Sequence, residues 1–142
     1  MIDSKISSDL VETGSSFEPL FKPVLKTGEW QVAVLRQCEK VKPGNFQQVE
    51  RHNQTDEVFI LTTRKANLII LDEKEGEEIP FVVPMDLNVA YNVKKSVWHH
   101  IVLSADAHVF IFEKADTSKE NSEYKIPDAD VQEKIRKGLT VF

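Results

Sequence analysis

The chain has few cysteines and no long apolar runs, the features that identify disulfide-rich, membrane and secreted proteins. Of its 142 residues only Cys38 is a cysteine, which excludes an internal disulfide and therefore a disulfide-stapled fold. Its apolar runs are short, as at 81–83 and 109–112, and none approaches the ~20 residues that cross a bilayer. The first ten residues hold an early acid and no apolar stretch, unlike a secretory signal. We therefore expect a cytoplasmic protein with no membrane segment.

Basic residues and glycines are also scarce. Lys and Arg number 18 against 23 Asp and Glu, and this net charge of −5 argues against a protein that neutralises nucleic-acid phosphates. Only 5 glycines occur, where average usage of about 7% would give roughly ten. The hydrophobic share of 41% and the charged share of 29% are instead typical of a folded domain. The length suits one such domain.

Short β-branched or aromatic stretches alternate with turn signals along most of the chain. The predicted strands are 30–37, 46–51, 57–62, 66–72, 79–83, 88–92, 98–103 and 108–113. Many short strands at regular spacing predict an all-β sandwich or barrel. We place this barrel at residues 19–115, after a loosely held polar arm at 1–18 and before an extension at 116–142. The aromatic side chains expected in its core are Trp30, Phe46, Phe59, Phe110 and Phe112.

The extension contains a helical pattern at 126–138. Acids lie in its first turn, Lys and Arg lie in its last turn, and Gly138 follows as a stop signal. Val131, Ile135 and Leu139 recur every four residues and form one apolar stripe. The stripe is expected to dock either on the barrel or on a partner subunit.

Carboxylate and imidazole side chains recur in two of the predicted strand regions. Glu50 and His52 alternate along one strand and therefore face the same side. A short hairpin turn through 53–56 would bring Glu57 beside His52, and a later strand supplies His99 and His100. Two carboxylates and one or two imidazoles on one inner face favour a divalent-metal site. A hydrogen-bond network without metal is the alternative.

The spacing of these residues resembles the two sequence motifs of the cupins. The first motif sets a glycine, a His-x-His pair, a glutamate and a glycine at fixed intervals; the second sets a glycine, a Pro-x-Gly turn, a histidine and an asparagine. The corresponding residues are Gly44, Glu50, His52, Glu57 and Arg64, then Asn88, Lys94, Ser96, His99 and Leu103. The spacing matches throughout, and four residues are identical. The resemblance implies an all-β, cupin-type double-stranded β-helix (a jelly-roll barrel) with a short C-terminal helix.

The resemblance also implies a set of metal ligands. His52 and His99 would ligate through imidazole and Glu57 through its carboxylate. Glu50 replaces the first motif histidine and is expected to be a fourth ligand or a general base beside the metal. His100 follows His99 on the same strand and would face the other way, and His108 is expected to be structural.

Three motif glycines are replaced by larger residues: Arg64, Asn88, and Ser96 in the turn where Lys94-x-Ser96 stands for Pro-x-Gly. Asparagine tolerates a positive φ better than most residues, whereas an arginine there would be strained. We therefore expect either an ordinary turn conformation at Arg64 or a rebuilt turn.

Two classes of function remain open. The first is a metal-dependent cupin enzyme, in which Fe, Mn, Ni or Zn holds a small oxygen-bearing molecule. Cupins include dioxygenases, isomerases, epimerases and lyases, and residues 97–100 resemble ureidoglycolate lyases. The second is a non-catalytic module that binds a carbohydrate or another small ligand, with or without metal. Because cupins commonly pair, we also expect a homodimer.

Overall fold

A computed structural model describes residues 5–139 of the protein. Within this range ten strands precede one C-terminal α-helix. The strands are β1 (Phe21–Thr27), β2 (Trp30–Arg36), β3 (Val49–His52), β4 (Glu57–Thr63), β5 (Ala66–Lys74), β6 (Glu77–Pro84), β7 (Ala90–Val93), β8 (Trp98–Leu103), β9 (His108–Lys114) and β10 (Ser122–Lys125). The helix, α1, spans Ala129–Gly138, and short 3₁₀ turns occupy Glu39–Val41, Pro43–Asn45 and Lys119–Asn121. No helix in the described range is long and apolar enough to cross a membrane.

The strands form two five-stranded antiparallel sheets. The first has the order β1-β2-β9-β4-β7 and the second the order β10-β3-β8-β5-β6. This arrangement confirms the predicted all-β jelly-roll barrel with a short C-terminal helix. All eight predicted strands are present, whereas β1 and β10 were not predicted. The first four residues of the predicted arm and the last three of the predicted extension lie outside the described residues.

The link between β3 and β4 is not the hairpin that the sequence suggested. β3 pairs with β10 and β8 in one sheet, whereas β4 pairs with β7 and β9 in the other. Residues 53–56 therefore carry the chain from one sheet to the opposite one. As a result, Glu57 approaches His52 across the barrel and not along a shared ladder of hydrogen bonds.

Apolar side chains on the inner faces of the two sheets fill most of the barrel. Alternation along β4 turns Phe59, which was expected in the core, and Leu61 inward, and leaves them 2% and 0% exposed. The buried members of this core are Ala33, Leu35, Val41, Phe59, Leu61, Ala66, Leu68, Met85, Val93, Ile101, Leu103, Ala107, Val109 and Ile111. The core stops short of one end of the barrel, where the polar residues described below lie.

A second apolar cluster lies between the outer face of the β10-β3-β8-β5-β6 sheet and α1. Its buried members are Phe46, Val49, Ile69, Leu71, Trp98, Val102, Val131 and Ile135. The stripe on α1 therefore docks on the chain's own barrel, which is the first of the two expected alternatives. Since Val131 and Ile135 are buried there, this stripe is not available as a contact between subunits.

The helix begins at Ala129, three residues later than the sequence pattern indicated. The preceding residues include Pro127, and proline disfavours a helical conformation in the residue before it. At its other end Gly138 is the last helical residue. A Cβ atom on Gly138 would lie 3.1 Å from Cγ2 of Val82, so glycine allows the close approach of α1 to β6.

Three positions that hold glycine in the cupin motifs keep a left-handed backbone here without glycine. The φ angles are +66° at Arg64, +63° at Asn88 and +66° at Ser96. Both expectations for Arg64 are therefore wrong. The residue does not adopt an ordinary turn conformation, and the turn itself is not rebuilt, because φ keeps the positive value that a motif glycine would have. The turn geometry is kept at the expense of backbone strain.

Candidate metal centre

The candidate site lies at the end of the barrel where β3 and β9 finish and β4, β8 and β10 begin. β3 presents Glu50 and His52 to the interior, and Glu50 lies directly opposite His99 of β8 in the register. The other sheet contributes Glu57, the first residue of β4, and Glu113, near the end of β9. The site is thus built from both sheets, so its geometry depends on their packing.

One oxygen of Glu57 faces both site imidazoles. Oε2 of Glu57 lies 2.9 Å from Nε2 of His52 and 3.0 Å from Nε2 of His99. The three side chains are buried, with relative exposures of 5% for Glu57, 8% for His52 and 2% for His99. The structure therefore brings together the two histidines and the carboxylate that the sequence singled out.

The outer nitrogen of each imidazole is anchored by a second group. Nδ1 of His52 lies 2.7 Å from Oγ of Ser122, and Nδ1 of His99 lies 2.9 Å from the carbonyl oxygen of Val97. A carbonyl oxygen only accepts hydrogen bonds, so Nδ1 of His99 donates to it. These contacts fix the ring orientations and direct both Nε2 atoms toward Glu57, as the outer partners of metal-bound histidines do.

The ionisation of the three groups is strongly coupled. Burial acts to raise the pKa of Glu57, but hydrogen bonds and charge from His52 and His99 outweigh it and lower that pKa to about 2. Burial acts to lower the pKa of each histidine, and Glu57 reverses this effect and raises both pKa values. Without a metal ion the site holds an ionised carboxylate beside two imidazoles whose pKa values it raises.

Glu50 stands at the edge of this cluster. Its Oε1 lies 4.0 Å from Nε2 of His52, and its Oε2 lies 3.8 Å from Nζ of Lys40. Both distances exceed a hydrogen bond, so no strong contact holds the half-buried Glu50 carboxylate in place. A rotation of the side chain can direct it toward an ion bound at His52 and His99.

Glu113 is a fifth polar side chain of the site. It is buried, and its Oε1 accepts a hydrogen bond of 3.2 Å from Nε2 of Gln31. Burial, together with the negative charge of Glu57, raises the pKa of Glu113 to about 7. A carboxyl group with this pKa can accept or donate a proton at neutral pH, as general acid–base chemistry requires.

These five residues offer donor atoms with the spacing of a metal site. Ligand atoms of Glu50, His52 and His99 lie within 4.8 Å of one another, and so do those of His52, Glu57 and Glu113. Imidazole nitrogen combined with carboxylate oxygen suits Fe, Mn, Ni or Zn. With both outer nitrogens anchored, the donor set and its orientation fit such an ion.

The two remaining histidines lie outside the site. His100 faces the outer side of its sheet, where it is 6% exposed and its ring centroid lies 5.5 Å from that of Phe46. His108 lies at the opposite end of β9 from Glu113, half-buried, with Nδ1 3.2 Å from Oγ1 of Thr62. The sequence expectation excluded both residues from the ligand set, and the structure places neither among the five site residues.

Sequence reasoning missed Glu113 and Ser122. Phe110 and Phe112 of β9 were expected to point into the core. Because side chains alternate along a strand, that expectation turns Glu113 outward. The structure shows the opposite: the alternate residues Val109, Ile111 and Glu113 are buried, and both phenylalanines are only half-buried. Ser122 was missed because β10 is polar, so that only its pairing with β3 shows it to be a strand.

A cavity of about 320 Å³ adjoins the five site residues. This volume is at the lower end of the range of about 300–1,000 Å³ seen for small-molecule sites. Apolar residues such as Phe59, Ile101 and Ile111 line its inner part, and Tyr124 and Lys119 lie among the exposed residues at its mouth. The cavity thus combines an apolar inner wall with the polar and charged residues of the site.

Comparison with known proteins identifies the fold. No protein-family profile and no curated protein matches the chain. Among solved structures, a cupin 2 domain-containing protein from Halorhodospira halophila is similar with a TM-score of 0.54 and 17% identity, over 86% of this chain and 78% of that one. Streptomyces PAC13, solved as a variant with uridine, gives a TM-score of 0.52 and 12% identity over 89% and 93% of the two chains.

An uncharacterised Klebsiella pneumoniae protein with a double-stranded β-helix domain gives a TM-score of 0.50 and 17% identity, over 88% of this chain and 92% of that one. At these identities the shared feature is the architecture. Together with the two sheets and their antiparallel order, these likenesses show that the chain has the cupin fold, a double-stranded β-helix.

Proposed function

We propose that the barrel binds one divalent transition-metal ion through His52, Glu57 and His99, with Glu50 as the fourth protein ligand or as a base beside the ion. The metal and the adjoining cavity together hold a small oxygen-bearing molecule. The observation that carries the proposal is the convergence of two buried Nε2 atoms on one oxygen of Glu57, at 2.9 and 3.0 Å.

The chemistry of His99 supports a cation at this point. Since Nδ1 of His99 carries a proton, its Nε2 presents a lone pair unless the ring is doubly protonated. A lone pair that faces a carboxylate oxygen at 3.0 Å is repelled, so the arrangement needs either a proton or a metal ion between the two atoms. A divalent ion can take the place of a proton there and be ligated by both Nε2 atoms.

A bound metal would act as a Lewis acid toward an oxygen of the ligand. Glu113 can exchange a proton with that ligand near neutral pH. Phe59 and Ile111 give the cavity an apolar wall beside these polar groups. These features are sufficient for an enzyme and equally serve a non-catalytic binding module, so turnover decides between the two.

Metal analysis of protein purified without a histidine tag tests the proposal. We expect about one equivalent of Mn, Fe, Ni or Zn, present at purification or restored by addition. The double variant His52→Ala with His99→Ala should lose it, because both imidazole ligands are removed. His108→Ala is the matched control, since it removes an imidazole outside the site, and should retain the metal.

A metal content below about a tenth of an equivalent that no added ion restores would refute the metal site. Retention of metal by the double variant would show that the ligands are wrongly assigned. To separate enzyme from binder, the metal-loaded protein is tested for oxygen consumption and for turnover of sugar phosphates, ureidoglycolate and uridine. Tight binding without turnover would favour the module.

We also propose that the protein is a cytoplasmic homodimer. The lone cysteine and the acidic balance of the chain support a reducing compartment without a nucleic-acid partner. Because α1 is buried on its own barrel, the dimer contact must lie on another surface. Light scattering should give the mass of two chains, and the mass of one chain would overturn the dimer.

A further inference from the structure

We infer that the mouth of the cavity binds the negatively charged group, carboxylate or phosphate, of a small organic molecule through Lys40 and Lys119. This inference rests on the proposed function, because it concerns the outer end of a ligand whose inner end reaches the metal. Both lysines line the same cavity as Glu57 and His99.

The backbone of Lys119 is held in position relative to the site. It opens the 3₁₀ turn Lys119–Asn121, in which Ser118 and Asn121 cap each other reciprocally. The turn leads directly into β10, whose first residue, Ser122, contacts His52. Within the described residues no acidic side chain forms an ion pair with Lys119, so its charge is available to a ligand.

Lys40 faces the cavity from a different element, the 3₁₀ turn Glu39–Val41. Its side chain is half-exposed, and its Nζ lies 3.8 Å from Oε2 of Glu50, beyond hydrogen-bond distance. If Glu50 turns to the metal, its negative charge is partly neutralised there. Lys40 then lacks its only ion-pair partner among residues 5–139 and can bind an anion at the mouth.

The charge balance of the cavity favours an anionic ligand. The charged or imidazole groups that line it are Lys40, Lys119, Glu50, Glu57, Glu113, His52 and His99; His100 also belongs to the lining, although its ring packs against Phe46 on the outer side of the sheet. With a divalent ion on neutral histidines, the ion and the two lysines outweigh Glu50 and Glu57 by two positive charges, or by one when Glu113 is ionised. The chain as a whole carries −5, whereas the metal-loaded cavity would be a local positive region that attracts anions.

The shape of the cavity separates the two ends of such a ligand. The candidate ligands Glu57 and His99 are buried, whereas Lys119 is exposed, and apolar residues such as Phe59, Ile101 and Ile111 line the cavity with them. A fitting molecule carries a hydroxyl or carbonyl oxygen at one end for the metal and a carboxylate or phosphate at the other. Neutral analogues lose the second contact.

Backbone NMR titration of the zinc-loaded protein with glycerol, glycerate and glycerol 3-phosphate tests the inference. We expect at least one of the two anions to shift the amide resonances of residues 40 and 117–119 saturably, whereas glycerol does not. Binding of glycerate alone identifies a carboxylate site, and binding of glycerol 3-phosphate alone identifies a phosphate site.

Variants assign that binding to the two lysines. Lys40→Gln with Lys119→Gln should weaken anion binding about tenfold, the effect of losing two exposed ion pairs. Lys26→Gln, a lysine on β1 outside the cavity lining, should leave it unchanged. The inference is overturned if neither anion produces a saturable shift, if glycerol binds equally well, or if the double lysine variant behaves as the parent.

The same titration without zinc keeps the two proposals apart. If the protein fails to bind metal but still binds the anions in a lysine-dependent way, the metal centre is wrong and the anion site stands. If it binds metal and shows no lysine-dependent preference for anions, the anion site is wrong and the metal centre stands.

Discussion

His99 and His100 are consecutive residues whose side chains lie on opposite faces of β8. The inward His99 contacts Glu57, which raises its pKa. The outward His100 lies beside Phe46, and its Nε2 is buried without a hydrogen-bond partner. Burial lowers the pKa of His100 to about 4. One alternation of the strand thus separates a site residue whose pKa is raised from a packing residue whose pKa is lowered.

Protonation of His100 should make the free energy of unfolding depend on pH. The unfolded chain binds a proton at this residue below about pH 6.5, and the folded chain does so only below about pH 4. Because the unfolded state binds more protons in this window, His100 costs stability as the pH falls from 6.5 toward 4. We expect His100→Leu to remove about 2 to 3 kcal/mol of the acid-induced loss between pH 7 and pH 4.5.

Urea unfolding of both proteins at the two pH values measures this difference. The groups of the metal site titrate in both proteins, so the comparison isolates His100. His108→Leu serves as the control, and since that ring is only half-buried its effect should be smaller. Equal pH dependence in the parent and His100→Leu would show that His100 is not held neutral by the fold.

At the scale of elements, the turns keep a cupin-like path without the glycines that normally permit it. Arg64, Asn88 and Ser96 all have a positive φ, although the side chain of an L-residue disfavours this region by about 1–2 kcal/mol. Because the sequence has few glycines, these turns hold other residues at a positive φ and are therefore strained. Asn88 is the mildest case, because asparagine adopts this conformation more readily.

Arg64→Gly should increase the free energy of unfolding by about 0.5–1 kcal/mol, because the relief of strain exceeds the extra entropy of the unfolded chain. Arg64 has no side-chain partner among residues 5–139, so few contacts are lost. Lys65→Gly at the next position, where φ is not positive, is the matched control and should be destabilising. Thermal unfolding compares the two, and a loss of stability in Arg64→Gly would contradict the strain argument.

The C-terminal helix is a structural part of the barrel. Ile135 is 0% exposed between α1 and the outer face of its sheet. Its truncation, Ile135→Ala, should cost about 2–5 kcal/mol of stability, because it leaves a cavity in this second cluster. Lys134→Ala, on the exposed side of the same turn, should change stability little.

Denaturant unfolding measures this loss, and light scattering of the folded fraction should show no change in oligomeric state. If Ile135→Ala is as stable as Lys134→Ala, the helix does not contribute to the fold as the structure indicates. If it is equally stable but dissociates, the stripe is a contact between subunits.

The sequence predicted eight of the ten strands because their apolar residues alternate or cluster in a recognisable way. It did not predict β10, whose four residues are polar and are held by pairing with β3. It also gave the wrong partner for β4, since sequence order favours a hairpin between neighbouring strands. Strand pairing between distant segments determined both outcomes, and local patterns do not contain that information.

At the scale of the whole molecule, the site exists only where the two sheets meet. Motif spacing was sufficient to single out Glu50, His52, Glu57 and His99, which the structure brings together. It was not sufficient for Glu113, because both faces of β9 carry large apolar residues and the correct phase depends on how the sheets pack. The cavity and its charge balance likewise follow from tertiary structure alone.

The central claim is that His52, Glu57 and His99 together hold a metal ion. The most direct test is a crystal structure of the metal-loaded protein with an anomalous difference map recorded at the absorption edge of the added ion. The account predicts a single strong peak about 2.0–2.2 Å from both Nε2 atoms and a Glu57 oxygen. No peak there, with Glu57 still about 3 Å from both imidazoles as at present, would contradict it and leave a proton-bridged carboxylate–histidine cluster in the barrel.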